Sequence, residues 1–202
     1  MSRAKPMSER SEREAYYTPP WCVRRLLEAM PPLEGDWLEP ACGDGAIIRA
    51  CQSFSPPSKM KWYASDIHVA NPEVAPGVQA QKCGISQLGV TFRPDGWPTH
   101  FAGLITNPPY TMADKFLRVG QAIADHVILL LRVNWLEGAA RADILSHNMP
   151  DVYVLPNRPS FTGRGTDATA YAWMHWSTHR SRREGSIERL NLTTVSERKM
   201  TC

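Results

Sequence analysis

Asn107-Pro108-Pro109-Tyr110 follows directly on an apolar run, Leu104-Ile105-Thr106. Proline has no backbone N–H, and it pushes the residue before it out of the helical region. Two in succession make the backbone stiff and extended where the strand stops. The Asn107 side-chain oxygen and the Pro108 carbonyl are then outward-facing acceptors, with the flat ring of Tyr110 beside them. That set fits a planar ring bearing an exocyclic amino group. Two acceptors hold the two amino hydrogens, and the tyrosine stacks on the ring face. The lone pair of an amine such as that of adenine is delocalised into its ring. Holding both hydrogens tetrahedrally localises it for attack on a methyl donor. This is catalysis by positioning and preset dipoles, with no protein nucleophile and no metal. The bare tetrapeptide also suits a proline-rich turn after a buried strand, so its neighbours carry weight.

The second group is Glu39-Pro40-Ala41-Cys42-Gly43-Asp44-Gly45. A strand over residues 35–40, carrying Trp37 and Leu38, runs into it, and a helix follows through Ala46, Ile47, Ile48 and Ala50. Strand, glycine turn and helix make the nucleotide-binding half of an open α/β sheet. The glycines let a ligand approach the backbone closely. Glu39 at the strand end repels a diphosphate but suits an ammonium or sulfonium group. S-adenosylmethionine carries both. A further strand over residues 61–65 ends in Asp66-Ile67. An acid at that strand end is placed to accept the ribose hydroxyls of a nucleoside. Ile67 is then beside the adenine ring.

The rest of the chain must position these groups. Residues 1–14 alternate basic, acidic and serine residues and read as a mobile tail. Tyr17-Thr18-Pro19-Pro20 opens a helix, with Thr18 as its N-cap and Pro19 in its first turn. Trp21, Val23, Leu26, Leu27 and Met30 form its core-facing stripe, and Pro31-Pro32 end it. Residues 71–97 are the least patterned part, with a short strand expected at residues 90–92. Residues 103–106 form the strand feeding Asn107. Residues 113–125 form a helix with Phe116, Leu117, Val119, Gly120 and Ile123 inward. The continuous apolar run over residues 127–131 reads as a central parallel strand. A helix over 137–147 and strands over 151–155 and 170–176 complete the sheet.

Composition bounds the function. The 202 residues fit one domain with tails, and 43% hydrophobic residues supply a full core. A net charge of +3 does not by itself demand nucleic acid. The five cysteines show no paired CxxC spacing, so reduced thiols in a cytoplasm and no zinc site are expected. No apolar run is long enough to span a membrane.

In this order the motifs resemble those of the gamma-class DNA N6-adenine methyltransferases, particularly the small stand-alone kind of phages and prophages. The resemblance covers residues 16–176 and rests on Tyr17-Thr18-Pro19-Pro20, Glu39 to Gly45, Asp66 and Asn107 to Tyr110. It implies a class I, Rossmann-like S-adenosylmethionine-dependent methyltransferase fold. Its sheet would be seven-stranded and mostly parallel, with helices on both faces. It implies a catalytic domain over 15–178 and a polar tail over 179–202, with no separate target-recognition domain. The implied cofactor site comprises Thr18, Pro19, Glu39, Pro40, Ala41, Cys42, Gly43, Gly45, Asp66, Ile67, Phe92 and Asn107. The implied catalytic set is Asn107, Pro108, Pro109 and Tyr110, with Tyr110 and Phe161 stacking on an adenine flipped out of DNA.

Two departures from the family stand out. The family's Asp-Phe pair after the third strand reads Thr91-Phe92 here, with Asp95 as a substitute acid. Without a target-recognition domain, a short or relaxed target sequence is expected, or specificity from a second subunit or a homodimer. Arg158, Arg164, Arg180, Arg182 and Arg183 are candidates for phosphate contacts. Three rivals stay open: adenine methylation in RNA, glutamine methylation in a protein, and an inactive DNA-binding relative.

Overall fold

Apolar residues alternate between two faces along the strands, and that alternation sets the layers. The computed structural model describes residues 17–54, 59–88, 93–161, 168–178 and 185–199. Its strands are β1 (Glu34–Glu39), β2 (Lys59–Asp66), β3 (Glu73–Ala75), β4 (Val78–Lys82), β5 (Phe101–Thr106), β6 (Ala124–Arg132), β7 (Asp151–Val154), β8 (Tyr171–Ser177) and β9 (Ile187–Arg189). The helices are α1 (Pro20–Ala29), α2 (Ala46–Gln52), α3 (Ala113–Ile123), α4 (Ala142–His147) and α5 (Val195–Lys199).

On β6, Ile128 and Leu130 enter one core with α1 and α2. Val127, Leu129 and Leu131 enter the other with α3. On β1, Trp37 and Leu38 divide the same way. Burying such a side chain contributes about 1.5–3 kcal/mol. Gly103 on β5 makes room for one of the largest. A Cβ there would meet the Trp37 ring at 2.4 Å.

The strand order is β3-β4-β2-β1-β5-β6-β8-β7-β9. β4, β2, β1, β5 and β6 run parallel, and β8 runs antiparallel to both β6 and β7. This is the class I S-adenosylmethionine-dependent methyltransferase fold, an α/β architecture with a mostly parallel mixed sheet. Six of the inner seven strands fall where strands are expected; the seventh, β4, does not. The sheet has nine among the described residues, because β3 and β9 add a short strand at each edge.

β3, β4 and β9 were invisible in the hydropathy pattern. β3 and β4 lie in the stretch that reads as unpatterned. They are three and five residues long and pair antiparallel around Pro76-Gly77, where Gly77 has φ 72°. β9 is exposed along its length, yet it pairs parallel with β7. The Asp151 carboxylate anchors it, accepting hydrogen bonds from the Ser186 backbone N–H at 2.9 Å and hydroxyl at 2.6 Å. Buried Leu190 and Thr193 follow. The segment 179–202, expected to be a free polar tail, is therefore part of the fold where it is described.

Three smaller expectations also shift. Pro19, not Thr18, is the N-cap of α1, without a side-chain cap bond. The helix expected over 137–147 is a short 3-10 turn, Ala139–Arg141, followed by α4. Residues 1–14 and the strand expected at 90–92 lie outside the described residues.

Candidate active site

Parallel pairing puts the C-terminal ends of β2, β1, β5 and β6 on one edge of the sheet. Asp66, Glu39, Thr106 and Arg132 are the last residues of those four strands. The chain runs from β1 outward to β2 and β4, then returns to β5 on the other side of β1. The edge between β1 and β5 is therefore a topological switch point, where open α/β sheets bind ligands. Asn107 leaves β5 there and Glu39 leaves β1 there.

Glu39 is 2% exposed. Burial pushes its carboxyl well above the usual carboxylate range, with Asp44 and Asp66 adding to the effect and the Ile48 backbone N–H opposing it. Its Oε2 has no hydrogen-bond partner. An orphaned buried acceptor costs about 1–3 kcal/mol until a donor arrives. A cationic donor meets that need best, so the ammonium group of S-adenosylmethionine fits this carboxylate.

The glycine turn is held from three sides. Asp66 accepts the Gly43 N–H through Oδ2 and the His68 N–H through Oδ1, each at 2.9 Å. Each carboxylate oxygen offers a second lone-pair direction, so these bonds are compatible with ribose hydroxyls on the same acid. Cys42 donates its N–H to the Ser65 carbonyl, and Gly45 donates to the Cys42 carbonyl. The β3–β4 hairpin closes the third side. A Cβ on Gly45, at φ 82°, would sit 2.2 Å from the Val74 carbonyl oxygen. Arg49 on α2 bonds the same carbonyl at 2.7 Å and pairs with Asp44 at 2.9 Å. Arg49 and this hairpin are parts of the site that sequence reasoning missed.

Thr18 is buried, and Tyr17 before it is 49% exposed. The Tyr17 ring is the nearest group to a Cβ placed on Gly43. The Tyr17 ring, next to Thr18, thus lies against the glycine turn. Ile67 is 60% exposed beside Asp66, available to cover a flat ligand. Cys42 is buried, and desolvation with the Glu39 and Asp66 charges pushes its thiol up, so it stays a neutral thiol.

Past β5, Pro109 is extended at φ −54°, ψ 121°, and a 3-10 turn, Tyr110–Met112, leads into α3. Pro108 is buried, while Asn107 and Tyr110 are half-buried. The Arg132 guanidinium lies 5.1 Å from the Tyr110 ring centroid. Arg132 Nε donates to the Tyr171 hydroxyl at 3.1 Å. The Tyr171 ring tilts against Tyr110 at 5.8 Å between centroids. Phe161 packs edge-on to Tyr171 at 5.1 Å.

Phe161 therefore reaches this cluster, but one ring removed from Tyr110. At 7% exposure it buttresses Tyr171 rather than presenting an open face. Neither Arg132 nor Tyr171 was singled out from sequence. Arg132 closes an apolar strand, and Tyr171 sits in a weakly alternating one. The β6–β8 pairing that makes them register partners is long-range.

Phe92 and Thr91 lie outside the described residues, as do Arg164, Arg180, Arg182 and Arg183. Arg158 is described and exposed. Asp95 is not placed to substitute for the missing acid. It lies in the turn whose Trp97 packs on Phe101, at the start of β5 and so at the far end of that strand from Asn107. Among the described residues no group of three His, Cys, Asp or Glu is placed to hold a metal ion, and no helix is long and apolar enough to cross a membrane.

No protein-family model and no curated protein sequence matches the chain. Solved structures do. One is a type I restriction-modification system methyltransferase subunit from Streptococcus thermophilus. It has a TM-score of 0.63 at 14% identity, over 91% of this chain and 51% of that one. A second, described as a candidate class I S-adenosylmethionine-dependent methyltransferase from Listeria monocytogenes, gives 0.59 at 9% identity, over 91% and 68%. A third, described as a candidate RNA methyltransferase from Pyrococcus horikoshii, gives 0.58 at 12% identity, over 80% and 86%. The chain spans about half the length of the restriction-modification subunit. At these identities the likeness is one of fold.

Proposed function

We propose that this chain transfers a methyl group from S-adenosylmethionine to the N6 amino group of adenine in DNA. The observation that carries the reading is the meeting of two features at one switch point. Asn107-Pro108-Pro109-Tyr110 leaves β5 beside the buried, half-satisfied carboxylate of Glu39 at the end of β1. One feature suits a planar amine and the other a cationic cofactor.

Glu39 and the turn from Pro40 to Gly45 hold the cofactor's amino-acid part. Asp66 accepts the ribose hydroxyls and Ile67 covers the adenine of the cofactor. Thr18 and Pro19 close the site from the front. When bound, S-adenosylmethionine supplies an electrophilic methyl group on a sulfonium. Asn107 Oδ1 and the Pro108 carbonyl accept the two hydrogens of the target amine and localise its lone pair. Tyr110 stacks on the target base, offsetting part of the few kcal/mol that base flipping costs. The contribution of these residues is orientation and preset dipoles.

DNA is read as the substrate from the order of the sequence motifs, since the structural neighbours include both a type I restriction-modification methyltransferase subunit and a candidate RNA methyltransferase. The test is transfer of labelled methyl from S-adenosylmethionine to duplex DNA, single-stranded DNA, RNA and a glutamine peptide, with nucleosides resolved by mass spectrometry. N6-methyladenine in DNA is the expected product. Label confined to RNA or to the peptide would replace this reading with that substrate.

A further inference from the structure

We infer that Gln87 reads the base edge of the cofactor, its side-chain amide accepting from the adenine amino group and donating to the ring nitrogen beside it. This deepens the proposed function and rests on its cofactor, S-adenosylmethionine, lying with its adenine under Ile67.

β4 pairs parallel with β2, with Lys82 opposite Asp66. Residues 83–88 therefore leave β4 at the sheet edge where Asp66 and Ile67 leave β2. The two segments touch there. A Cβ on buried Gly84 would meet Ile67 Cγ2 at 2.8 Å, so the backbone lies directly against that side chain. Buried Cys83, Ile85 and Leu88 anchor the turn in the core that α3 shares. The Gln87 N–H donates to the Gly84 carbonyl at 2.9 Å. The Gly84 N–H donates back to Gln87 Oε1, also at 2.9 Å. A backbone N–H only donates, so the amide is held with its oxygen toward Gly84. The Gln87 side chain is otherwise exposed.

An amide held this way keeps a second lone pair on Oε1 and both N–H groups on Nε2. Acceptor and donor stand side by side. Adenine presents the complement, an amino group next to a ring nitrogen, which a glutamine amide pairs with through two hydrogen bonds. Ile67 then covers the face of the base while Gln87 meets its edge. No other side chain in residues 83–88 carries a donor and an acceptor on separate atoms, and none of them is acidic. Asp44 and Asp66 already press on the Glu39 carboxyl in this crevice. A neutral amide holds the amino group without adding a further negative charge.

The plain alternative is that Gln87 only caps its own turn. Base selectivity separates the two. Calorimetry would titrate wild type and Gln87→Met with S-adenosylhomocysteine and with its 6-oxo analogue, in which hypoxanthine replaces adenine. The oxo group and the ring N–H of hypoxanthine reverse the donor and acceptor that the amide faces. Wild type should bind the adenine form about tenfold or more tightly than the analogue. Gln87→Met should bring the two within about twofold by weakening the adenine form. A turn cap alone would lower both affinities together and keep their ratio. The wild-type protein supplies a second readout should Gln87→Met not fold. Its Gln87 side-chain N–H signals, assigned by their absence in Gln87→Glu, should move downfield in NMR spectra with S-adenosylhomocysteine and much less with the analogue. Equal wild-type affinity for the two compounds, an unchanged ratio in Gln87→Met, or unmoved Gln87 signals overturns the inference while the proposed function stands. A folded wild type that takes up neither S-adenosylmethionine nor either compound overturns both.

Discussion

Asn107 and Glu39 leave neighbouring strands of the sheet, and the proposed function gives them opposite tasks. Asn107→Ala removes the proposed acceptor for the target amine and leaves Glu39, the proposed partner of the cofactor's ammonium group, in place. Turnover should fall by at least about a thousandfold, as for loss of a preset transition-state contact. Calorimetry should show S-adenosylmethionine binding within a few-fold of wild type. Glu39→Gln should behave in reverse. Burial raises the Glu39 carboxyl above its unfolded value, so the fold disfavours its charged form. The contribution of that carboxyl to stability is complete at acid pH and is lost as pH rises through the raised value. Glutamine does not titrate. Scanning fluorimetry from pH 4 to 8 should find the variant level with wild type at the acid end and about 2 °C or more above it at the alkaline end. The gain in stability should come with weaker S-adenosylmethionine binding. At this scale the sequence was informative wherever chemistry was local. Asn107 to Tyr110 and Glu39 to Gly45 are contiguous, and backbone stiffness or turn geometry follows from their own residue types. Arg132 and Tyr171 acquire meaning only across a strand pairing 39 residues apart in sequence.

Among the elements, the β3–β4 hairpin and the C-terminal segment were the least foreseeable, and each makes a prediction. The hairpin presses the Val74 carbonyl onto Gly45. Gly45→Ala should therefore destabilise the fold by about 2 kcal/mol or more through clash and positive φ together. Gly43→Ala has positive φ but nothing nearer its Cβ than the Tyr17 ring at 3.9 Å. It should cost only about 1 kcal/mol yet weaken cofactor binding, because its Cβ fills the approach beside Tyr17. Urea unfolding paired with cofactor titration distinguishes the two.

The C-terminal segment is tied to α1 by Arg25. That buried side chain donates to Thr193 Oγ1, the Leu192 carbonyl, Glu28 and Glu197. Bonds from the Thr194 N–H and hydroxyl, joined by Arg25, pull the Glu197 carboxyl down to about 2. A depressed carboxyl contributes its stability above the unfolded value and loses it as pH falls through the folded one. The segment should therefore stay docked until strongly acid pH. Arg25→Met should destabilise the protein by about 1–2 kcal/mol through the hydrogen bonds it removes. It should also raise hydrogen exchange over residues 192–199, while Asn107-dependent transfer survives. Neither element has a hydropathy signature, since β9 is wholly exposed and held by Asp151 and Leu190. Only long-range pairing reveals it.

For the whole molecule, the legible part was the alternation of strand and helix and the types of residue at the strand ends. The order of strands was not, because sequence shows where a strand ends but not which strand lies beside it. Yet the order makes the site. Had β5 not returned beside β1, Asn107 and Glu39 would lie on separate strands with others between them. Mild net charge, free buried thiols and a continuous two-faced core are shared by many domains of this fold and say little about substrate. What carries the proposed activity is the meeting of the Asn107 to Tyr110 turn and the buried Glu39 carboxyl at the switch point.

The most direct measurement is single-molecule mapping of modified bases in the genome of a methylation-free bacterial host, comparing the wild-type chain with Asn107→Ala at equal soluble expression. N6-methyladenine that appears with the wild type and vanishes in the variant is the predicted result, and its positions give the target sequence. Methylated adenine at equal density in both strains would contradict the assignment of Asn107. No modified base with either, from a protein that binds S-adenosylmethionine, would contradict adenine in DNA as the substrate.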